Sequence, residues 1–573
     1  MIATLLTILA LSPAALAWDV PLAAAEAELE RARTMALPGQ PSPYFVNYEI
    51  LDGEVATAGA VLGALDTFDH GPYRNLRVEV RVGDYGFDNA NFDVSFGERD
   101  GTRVRGLPHE DVDVALRREL WMATDDAYKG AAEQFAAKQA AREGRTGEHT
   151  ADLYAMDGLT TDPIPRPSAD AAWARATVEG LTAGFAELDW IEEGGALARD
   201  WQGSRMLVTT EGTRAWVPTG FSVVRIEAIT RAEDGAKLRN TRSWVARTPA
   251  ELPTFDEMKA EVEDMTAWVD GLRDAPIEDD YLGPVLFEDA AAVELFRQLV
   301  VPEIVGTPPP ERAPDPFSDN ASTPPSARLG RRLLPEGWSI VDDPGADPAA
   351  AGAYTHDFQG VAGQRVEVVQ DGVVRDLLMS RVPREGFSGS TGHGRALGAD
   401  RRTAIPSVLS ITPRRGKSDK KLRRKALQLA RQAGLDYVLV IRRVEPPALS
   451  DDFHIAFSGE GPLPGLTRPA EAYRLYPDGR EEPVRGLTFL GVDRRVLRDI
   501  AIAGAPSPGL GVMDSAPGPG RFSIGAIGGL PATWSVPPVV ITELELRGAG
   551  GSDPRVIPAP PLAAQAIGSG PPE

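Results

Sequence analysis

One carboxylate, Glu288, lies where a short apolar strand is predicted to run into a helix rich in Ala and Leu. The strand covers residues 284–287, and the helix follows directly. A glutamate beside a metal-bound water can take its proton, which makes Glu288 a candidate general base. The alternative is a structural role, because the helix dipole stabilises a Glu at a helix N-terminus.

Residues that ligate catalytic metals are scarce in this chain. A catalytic zinc needs about three protein ligands and an open position for water. The chain has no Cys and only six His, none of which has a second His nearby in sequence. The six are His70, His109, His149, His356, His393 and His454. His109-Glu110 begins like a zincin motif, but Asp113 stands where the second His belongs. No metal site is predicted from local spacing, and a site built from distant His residues stays an open alternative.

Composition excludes several classes of protein. The chain has 573 residues, of which 42% are hydrophobic and 25% charged, as in ordinary soluble proteins. Its net charge of −23 opposes nucleic-acid binding by bulk electrostatics. The absence of Cys excludes disulfides and thiol nucleophiles. We expect no integral membrane segment, because no stretch is apolar enough to span a bilayer.

The first residues are typical of a secretory signal peptide, covering residues 1–17. Residues 5–11 form a short apolar core, and Ala15-Leu16-Ala17 fits the small-x-small cleavage rule. The apolar run is too short for a membrane anchor. We therefore expect an exported protein, either periplasmic or secreted.

Periodicity predicts an α+β protein. Leu76-Arg-Val-Glu-Val-Arg-Val82 alternates strictly and is a half-buried strand, and strands are also expected from 205 to 244. Asp371-Gly372 suits a type I′ hairpin turn. Helices are predicted over 21–37, 112–142, 168–187, 256–272 and 420–432. The expected organisation is an α/β N-terminal domain (18–275) with a helical insertion around 109–200, a β-rich C-terminal domain (276–547) with a Pro-rich loop (306–328), and a disordered tail (548–573).

Several strings resemble the TldD/PmbA family of metallopeptidase-related proteins. Tyr281-Leu-Gly-Pro-Val-Leu-Phe-Glu-Asp-Ala-Ala-Ala-Val-Glu-Leu-Phe296 resembles the family segment that carries His-Glu-x-x-x-His in active members. Phe287 stands at the first His position and Ala292 at the second, so Glu288 alone keeps its type. Residues 44–92, 357–365, 380–395 and 476–486 resemble further family segments in the same order along the chain.

The resemblance implies a fold and two roles. Active members are zinc peptidases that cut unfolded peptides, and they pair with a subunit of the same fold that lacks the zinc motif. It therefore implies a non-catalytic, peptide-binding or partner subunit that needs no cofactor of its own. The partner would be a TldD-like catalytic subunit or a second copy of this chain. Two alternatives stay open, an active peptidase with a rearranged metal site and an envelope structural or interaction protein.

The Gly-rich loop over residues 386–394 lines the cleft in the family, so the resemblance implies peptide contacts for Ser390, His393 and Arg395. The alternative is a loop whose glycines permit unusual backbone dihedrals. A basic stretch over 414–425 is expected to be a solvated helix face, directed toward the acidic region 251–289 or a partner.

Overall fold

The computed structural model describes residues 18–93, 100–143, 149–312, 329–396, 400–446, 465–514 and 529–548. The predicted signal peptide, most of the Pro-rich loop, His454 and the tail beyond residue 548 lie outside the described residues. Helix and strand are mixed throughout, so the α+β class is confirmed. No helix in these ranges is long and apolar enough to cross a bilayer.

The N-terminal half is built on one antiparallel sheet of six strands, in the order β4-β2-β1-β5-β6-β7. Its long first hairpin sets the register, with Tyr48 opposite Val78 and Gly53 opposite Tyr73. The strands are β1 (Pro43–Val61), β2 (Ala64–Val82), β4 (Thr102–Gly106), β5 (Glu193–Thr209), β6 (Arg214–Arg231) and β7 (Lys237–Ala246), while the short β3 (Phe92–Asp93) lies outside this sheet.

Four helices cover one face of the N-terminal sheet. They are α1 (Asp19–Ala32), α2 (Asp113–Arg142), α3 (Ala171–Thr182) and α4 (Phe255–Arg273). The helix predictions hold here within a few residues, because each helix carries apolar side chains at helical spacing that bury on the sheet. Asp170 caps α3, since its side chain accepts a hydrogen bond from the backbone N–H of Trp173.

The prediction of strands only from residue 205 was wrong, because β5 begins at Glu193, inside the expected helical insertion. Its first half reads Glu-Gly-Gly-Ala-Leu-Ala, which has little apolar contrast between its two faces. The small side chains of Ala196 and Ala198 instead pack under α3 together with Ala56 and Ala58 of β1. The start of this strand is set by the close packing of α3 against it, and local strand propensity does not indicate that packing.

The C-terminal half contains two larger sheets. One has the order β12-β11-β10-β15-β22-β21, and the other has β18-β17-β16-β8-β23-β19 with β20 also paired to β23. Their strands are β8 (Tyr281–Phe287), β10 (Ser339–Asp342), β11 (Val366–Gln370), β12 (Val373–Val374), β15 (Val408–Thr412), β16 (Val438–Val444), β17 (Pro469–Leu475), β18 (Glu481–Val484), β19 (Leu487–Phe489), β20 (Ile500–Ala503), β21 (Leu510–Asp514), β22 (Leu530–Ser535) and β23 (Val539–Gly548). Two short pairs complete the half, β13 (Gly394–Arg395) with β14 (Thr403–Ala404), and β9 (Glu311–Arg312) with β3.

Two helices pack on opposite faces of the sheet that contains β8. Helix α5 (Asp289–Ile304) lies in the main core, an apolar cluster that contains Val285 and Phe287 of this sheet and Ile340 and Trp534 of the other. Helix α6 (Asp419–Gln432) covers the other face through Leu422 and its neighbours. The strand-to-helix unit predicted around Glu288 is therefore the centre of this half.

The predicted hairpin turn at Asp371-Gly372 is confirmed. Asp371 has φ 50° and Gly372 has φ 74°, so both central residues adopt the positive φ that a type I′ turn requires. A Cβ at Gly372 would lie 2.3 Å from the carbonyl oxygens of Leu334 and Pro335. Glycine is needed here both for its dihedral and for the close approach of the chain.

Candidate functional site

The candidate site is the junction between β8 and α5. Glu288 is the N-cap residue of α5, in an extended conformation. Its backbone N–H donates to the carbonyl of Ile441 on β16 at 2.9 Å, and its own carbonyl accepts from the amides of Ala291 and Ala292. These backbone contacts tie the junction to the neighbouring strand and to the first turn of the helix, and so set the direction of the Glu288 side chain.

The two positions at which the resemblance implies zinc-binding His in active members lie in the apolar core. Phe287 is fully buried, and Ala292 is 1% exposed. The Phe287 ring stacks on Phe489 with the ring centroids 5.9 Å apart. Hydrocarbon therefore fills both ligand positions and leaves no donor atom there.

Glu288 is held by two arginines. Its Oε2 accepts from Nη2 of Arg423 at 3.1 Å and from Nε of Arg442 at 3.3 Å. Both arginines also bind Glu481 on β18, and Arg442 makes two hydrogen bonds to it at 2.8 Å. The Arg442 guanidinium lies over the ring of Tyr473, 4.5 Å from its centroid. Two carboxylates and two guanidiniums thus form a closed charge cluster.

The two carboxylates of this cluster differ electrostatically. Burial raises the pKa of Glu288, and the attraction of Arg423 and Arg442 does not offset it. Burial also acts on Glu481, but hydrogen bonds from the same two arginines outweigh it and lower the pKa of that carboxyl. The Glu288 side chain is 14% exposed and that of Glu481 is 23% exposed, which accounts for the difference in sign.

Zinc does not fit the residues present at this junction. Within the described ranges, no group of three or more His, Cys, Asp or Glu side chains is arranged to hold a metal ion. Glu288 faces two cations, and both neighbouring ligand positions are apolar. A metal cation beside Arg423 and Arg442 would be repelled, so no reaction step through zinc follows from this geometry.

The Gly-rich loop packs against its own domain. Ser390, which is half-buried, donates from Oγ to the carbonyl of Met379 at 3.0 Å and accepts from the amide of Gly392. His393 is fully buried, with Nε2 3.0 Å from Oδ1 of Asp342. The contact of Ser390 with a peptide stays a prediction.

Arg395 is also turned inward. Its side chain is buried, donates to the carbonyl of Pro406, and lies over the ring of Tyr354 at 4.8 Å. His393 and Arg395 therefore support the fold of the loop, and their predicted contact with a peptide stays a prediction. In the part of the chain that the structure describes, this loop and Glu288 share no hydrogen-bond partner.

The basic stretch has one inward residue. Arg423 reaches Glu288, at the edge of the acidic region 251–289, as the sequence suggested for the stretch. The other basic side chains on the outer surface of α6 are exposed, including Lys420, Lys421 and Arg424. The strongly polar outer face and the buried Leu422 agree with a solvated helix face.

The sequence did not reveal a buried charged layer between the two halves. Arg77, Glu79 and Arg81 occupy the face of β2 opposite its apolar residues, yet none is exposed, and Glu79 lines a cavity with Arg381 and Arg402 of the C-terminal half. Glu49 on β1 accepts hydrogen bonds from both Arg205 and Arg402. Strict alternation normally indicates a solvent face, so the only available signal was the unusual density of paired charges along one strand face.

Comparisons with known proteins agree with this architecture. Residues 282–444 match the family model described as PmbA/TldA metallopeptidase C-terminal domain. No curated protein matches the chain.

Three solved structures share the fold. A putative modulator of a DNA gyrase from Thermotoga maritima has a TM-score of 0.56 at 16% identity, and the match covers 88% of this chain and 96% of the Thermotoga chain. TldE from Thermococcus kodakarensis has a TM-score of 0.58 at 12% identity, and the match covers 92% of this chain and 100% of the TldE chain. A putative modulator of DNA gyrase from Bacteroides thetaiotaomicron has a TM-score of 0.53 at 11% identity, covering 92% and 99%. Residues 282–444 are therefore similar to the C-terminal domain of PmbA/TldA metallopeptidases, and the chain as a whole shares the fold of these three structures.

Proposed function

We propose that this protein is a non-catalytic, peptide-binding subunit that works beside a catalytic, zinc-bearing relative. The observation that carries the proposal is the burial of Phe287 and Ala292 in the main core. Catalysis in the family depends on ligands at these two positions, and this chain has no Cys to supply a substitute thiolate. The scaffold is kept while the metal centre is absent from it.

The charge cluster supports the same role. A general base must reach a water or substrate proton, whereas the Oε2 of Glu288 is already bound by Arg423 and Arg442. Releasing it would leave two guanidiniums with Glu481 as their remaining carboxylate partner at the cluster. The cluster therefore stabilises the junction and opposes its use in proton transfer.

The partner is a TldD-like catalytic subunit, or a second copy of this chain. The family resemblance supports pairing with a subunit of the same fold. The signal-like residues 1–17 support assembly after export, in the periplasm or outside the cell. Affinity purification of the protein from its native envelope, followed by size determination, would identify the partner, and elution of a lone monomer would contradict the pairing.

The proposal is tested by metal analysis and peptide assays on one purified sample. We expect no stoichiometric zinc, no cleavage of unfolded peptides, and recovery of bound peptide intact. Stoichiometric metal together with cleavage that disappears in Glu288→Gln would overturn it. That outcome would establish the active peptidase with a rearranged site, for which the raised pKa of Glu288 is the favouring observation.

A purely structural or interaction protein of the envelope is the second candidate. The fully buried Phe287 favours it, since an apolar side chain then fills the place that a zinc ligand takes in active relatives. The same binding assay separates the two proposals. Recovery of intact peptide supports the peptide-binding subunit, and a protein that binds no unfolded peptide is structural.

A further inference from the structure

One half of the N-terminal sheet has a face whose side chains are only half-buried. Residues of β1 alternate, so that Ala56 and Ala58 are buried under α3 while Val55 and Thr57 point to the other side and are half-buried. Near the other end of the same face, residues such as Glu49 are covered by the C-terminal half. The part that stays half-buried, here called the open face, comprises Tyr73, Val55, Thr57, Arg199, Trp201 and Arg225, and Trp201 at its border also packs against a cluster that includes Ala351 of the C-terminal half.

The strand register brings these residues together. Thr57 lies opposite Arg199, and Val55 lies opposite Trp201. Arg225 on β6 lies opposite Leu197, and is therefore diagonal to Arg199 on the same face. Two guanidiniums and one indole thus share a small area of sheet.

Nearby carboxylates neutralise the two arginines only in part. Within the described residues, Arg199 has one hydrogen bond, to Oγ1 of Thr57 at 3.2 Å, and no ion pair with a carboxylate. Nη2 of Arg225 lies 3.5 Å from Oε2 of Glu227, and the same oxygen lies 2.7 Å from Nη2 of Arg239. Burial lowers the pKa of both Arg199 and Arg225, so their charges are partly desolvated. A bound anion would offset that desolvation through charge-assisted hydrogen bonds.

An aromatic surface adjoins the arginines. Tyr73 and Trp201 are stacked, with ring centroids 5.4 Å apart and planes inclined by 19°, and Trp201 also contacts Phe221 at 5.4 Å. Tyr73 lies directly on the backbone, because a Cβ at Gly203 would be 2.1 Å from its hydroxyl oxygen. The rings therefore form a rigid apolar surface beside the two guanidiniums.

The spacing matches that of an extended peptide. Arg199 and Trp201 are two residues apart on one strand, so their side chains leave the sheet about 6.5–7 Å apart. Alternate side chains of an extended peptide have the same spacing. A peptide lying along β5 can therefore place a carboxylate at Arg199 and Arg225 while its residue two positions away packs on Trp201.

We infer that the open face binds extended acidic peptide segments of the pattern apolar-x-acidic. The carboxylate of an Asp or Glu side chain accepts hydrogen bonds from Arg199 and Arg225, and the apolar side chain packs on Trp201 and Tyr73. This inference rests on the proposed peptide-binding function and adds the place and the sequence class. The chain carries a net charge of −23, which repels an acidic peptide at long range. The local attraction of Arg199 and Arg225 must therefore exceed that repulsion.

The test is fluorescence anisotropy with the full chain and labelled unfolded peptides that contain Leu-x-Glu, Leu-x-Gln or Leu-x-Lys. All peptides carry an amidated C-terminus, so that only the side chain supplies a carboxylate. We expect the Glu peptide to bind about tenfold more tightly than the Gln peptide, with the Lys peptide weakest. We also expect the preference for Glu to weaken as salt is raised.

Variants locate the site. Arg199→Gln and Arg225→Gln should each weaken binding of the Glu peptide about tenfold and leave the Gln peptide unchanged. Arg199→Lys keeps the charge but loses the planar fork, so an intermediate loss is expected. Arg175→Gln is the matched control, because this exposed arginine of α3 is paired with Glu179 on the helix-covered side of the sheet.

The outcomes separate the two proposals. If the wild-type chain binds Glu and Gln peptides equally, or the Arg199 and Arg225 variants match Arg175→Gln, the open face is not the site, while peptide binding still stands. If the wild-type chain binds none of the peptides, the proposed function falls and this inference falls with it. The comparison of peptides on the wild-type chain does not depend on any variant folding.

Discussion

The rings of Phe287 and Phe489 stack with their centroids 5.9 Å apart and their planes inclined by 24°. This contact joins the end of β8 to β19 at the position where the sequence resemblance implies a zinc ligand in active members. The pair belongs to the largest apolar core of the chain. Phe287 therefore contributes to stability by packing.

Restoring the family motif should damage the fold without creating a metal site. In the double variant Phe287→His and Ala292→His, two imidazoles replace apolar groups in a closed core, at a cost of roughly 3–5 kcal/mol in the free energy of unfolding. Zinc analysis should show no stoichiometric metal, since Glu288 stays bound to its arginines. Phe68→His, at a residue that is 47% exposed, is the control and should leave the thermal midpoint nearly unchanged. Full occupancy by zinc at an unchanged midpoint would contradict the packing role.

Neutralising the two carboxylates of the charge cluster should have unequal effects. Glu288 has a raised pKa, so its environment already favours the neutral form that Gln mimics. Glu481 has a lowered pKa, so Glu481→Gln removes a charge that the arginines stabilise, at a cost of roughly 1–3 kcal/mol. Thermal midpoints at neutral pH should show Glu481→Gln to be clearly the less stable variant. Equal losses would mean that Glu288 is held as firmly as Glu481.

The buried charged layer between the halves should depend on Glu49. Glu49→Gln leaves the buried guanidiniums of Arg205 and Arg402 without their shared carboxylate, which should cost about 3–5 kcal/mol in the free energy of unfolding. Denaturation by urea measures this loss, and limited proteolysis should show the two halves separating earlier. The matched variant Glu54→Gln changes a residue whose side chain is 38% exposed and should have little effect. A small effect of Glu49→Gln would show that the two arginines find other partners.

Substitution of the buried His393 should destabilise the protein more than substitution of the half-buried Ser390. His393→Ala removes a hydrogen-bond partner of the buried Asp342 and leaves a cavity, at a cost of roughly 2–4 kcal/mol. Ser390→Ala removes two hydrogen bonds in a half-buried loop and should cost about 1–2 kcal/mol. Thermal melts measure both, and the anisotropy assay tests the predicted peptide contacts directly. A loss of peptide binding in a stable Ser390→Ala protein would support the contact that the resemblance implies.

The Asp342 carboxylate should make stability fall in acid. Burial alone would raise its pKa, but hydrogen bonds from His393 and Ser407 outweigh burial and hold the pKa below its usual range. Because the folded pKa is the lower one, this carboxylate stabilises the fold above its unfolded pKa of about 3.9 and loses that contribution as the pH falls through the folded value. Urea denaturation between pH 6 and pH 3 should show a smaller acid dependence in His393→Ala than in the wild-type chain. An identical dependence in both would show that His393 does not support the charge of Asp342.

Local patterns predicted the elements well where one physical effect dominated. The helices around Leu116 and Leu422 follow apolar periodicity, and the turn at Asp371-Gly372 follows from the positive φ that its type requires. Patterns failed at the start of β5, where small residues such as Ala196 bury only because α3 lies against them. They also did not show that Arg77 is buried, since alternation is the same whether a face meets water or a second domain.

The sequence by itself determined which chemistry is unavailable. Phe287 and Ala292 cannot ligate a metal, the chain has no Cys, and the strand-to-helix junction around Glu288 follows from local pattern. Only the tertiary structure decided what Glu288 does, because Arg423 and Arg442 lie 135 and 154 residues away along the chain. Contacts of that separation form only when the strands of a common sheet assemble, so spacing in the sequence carries no signal of them.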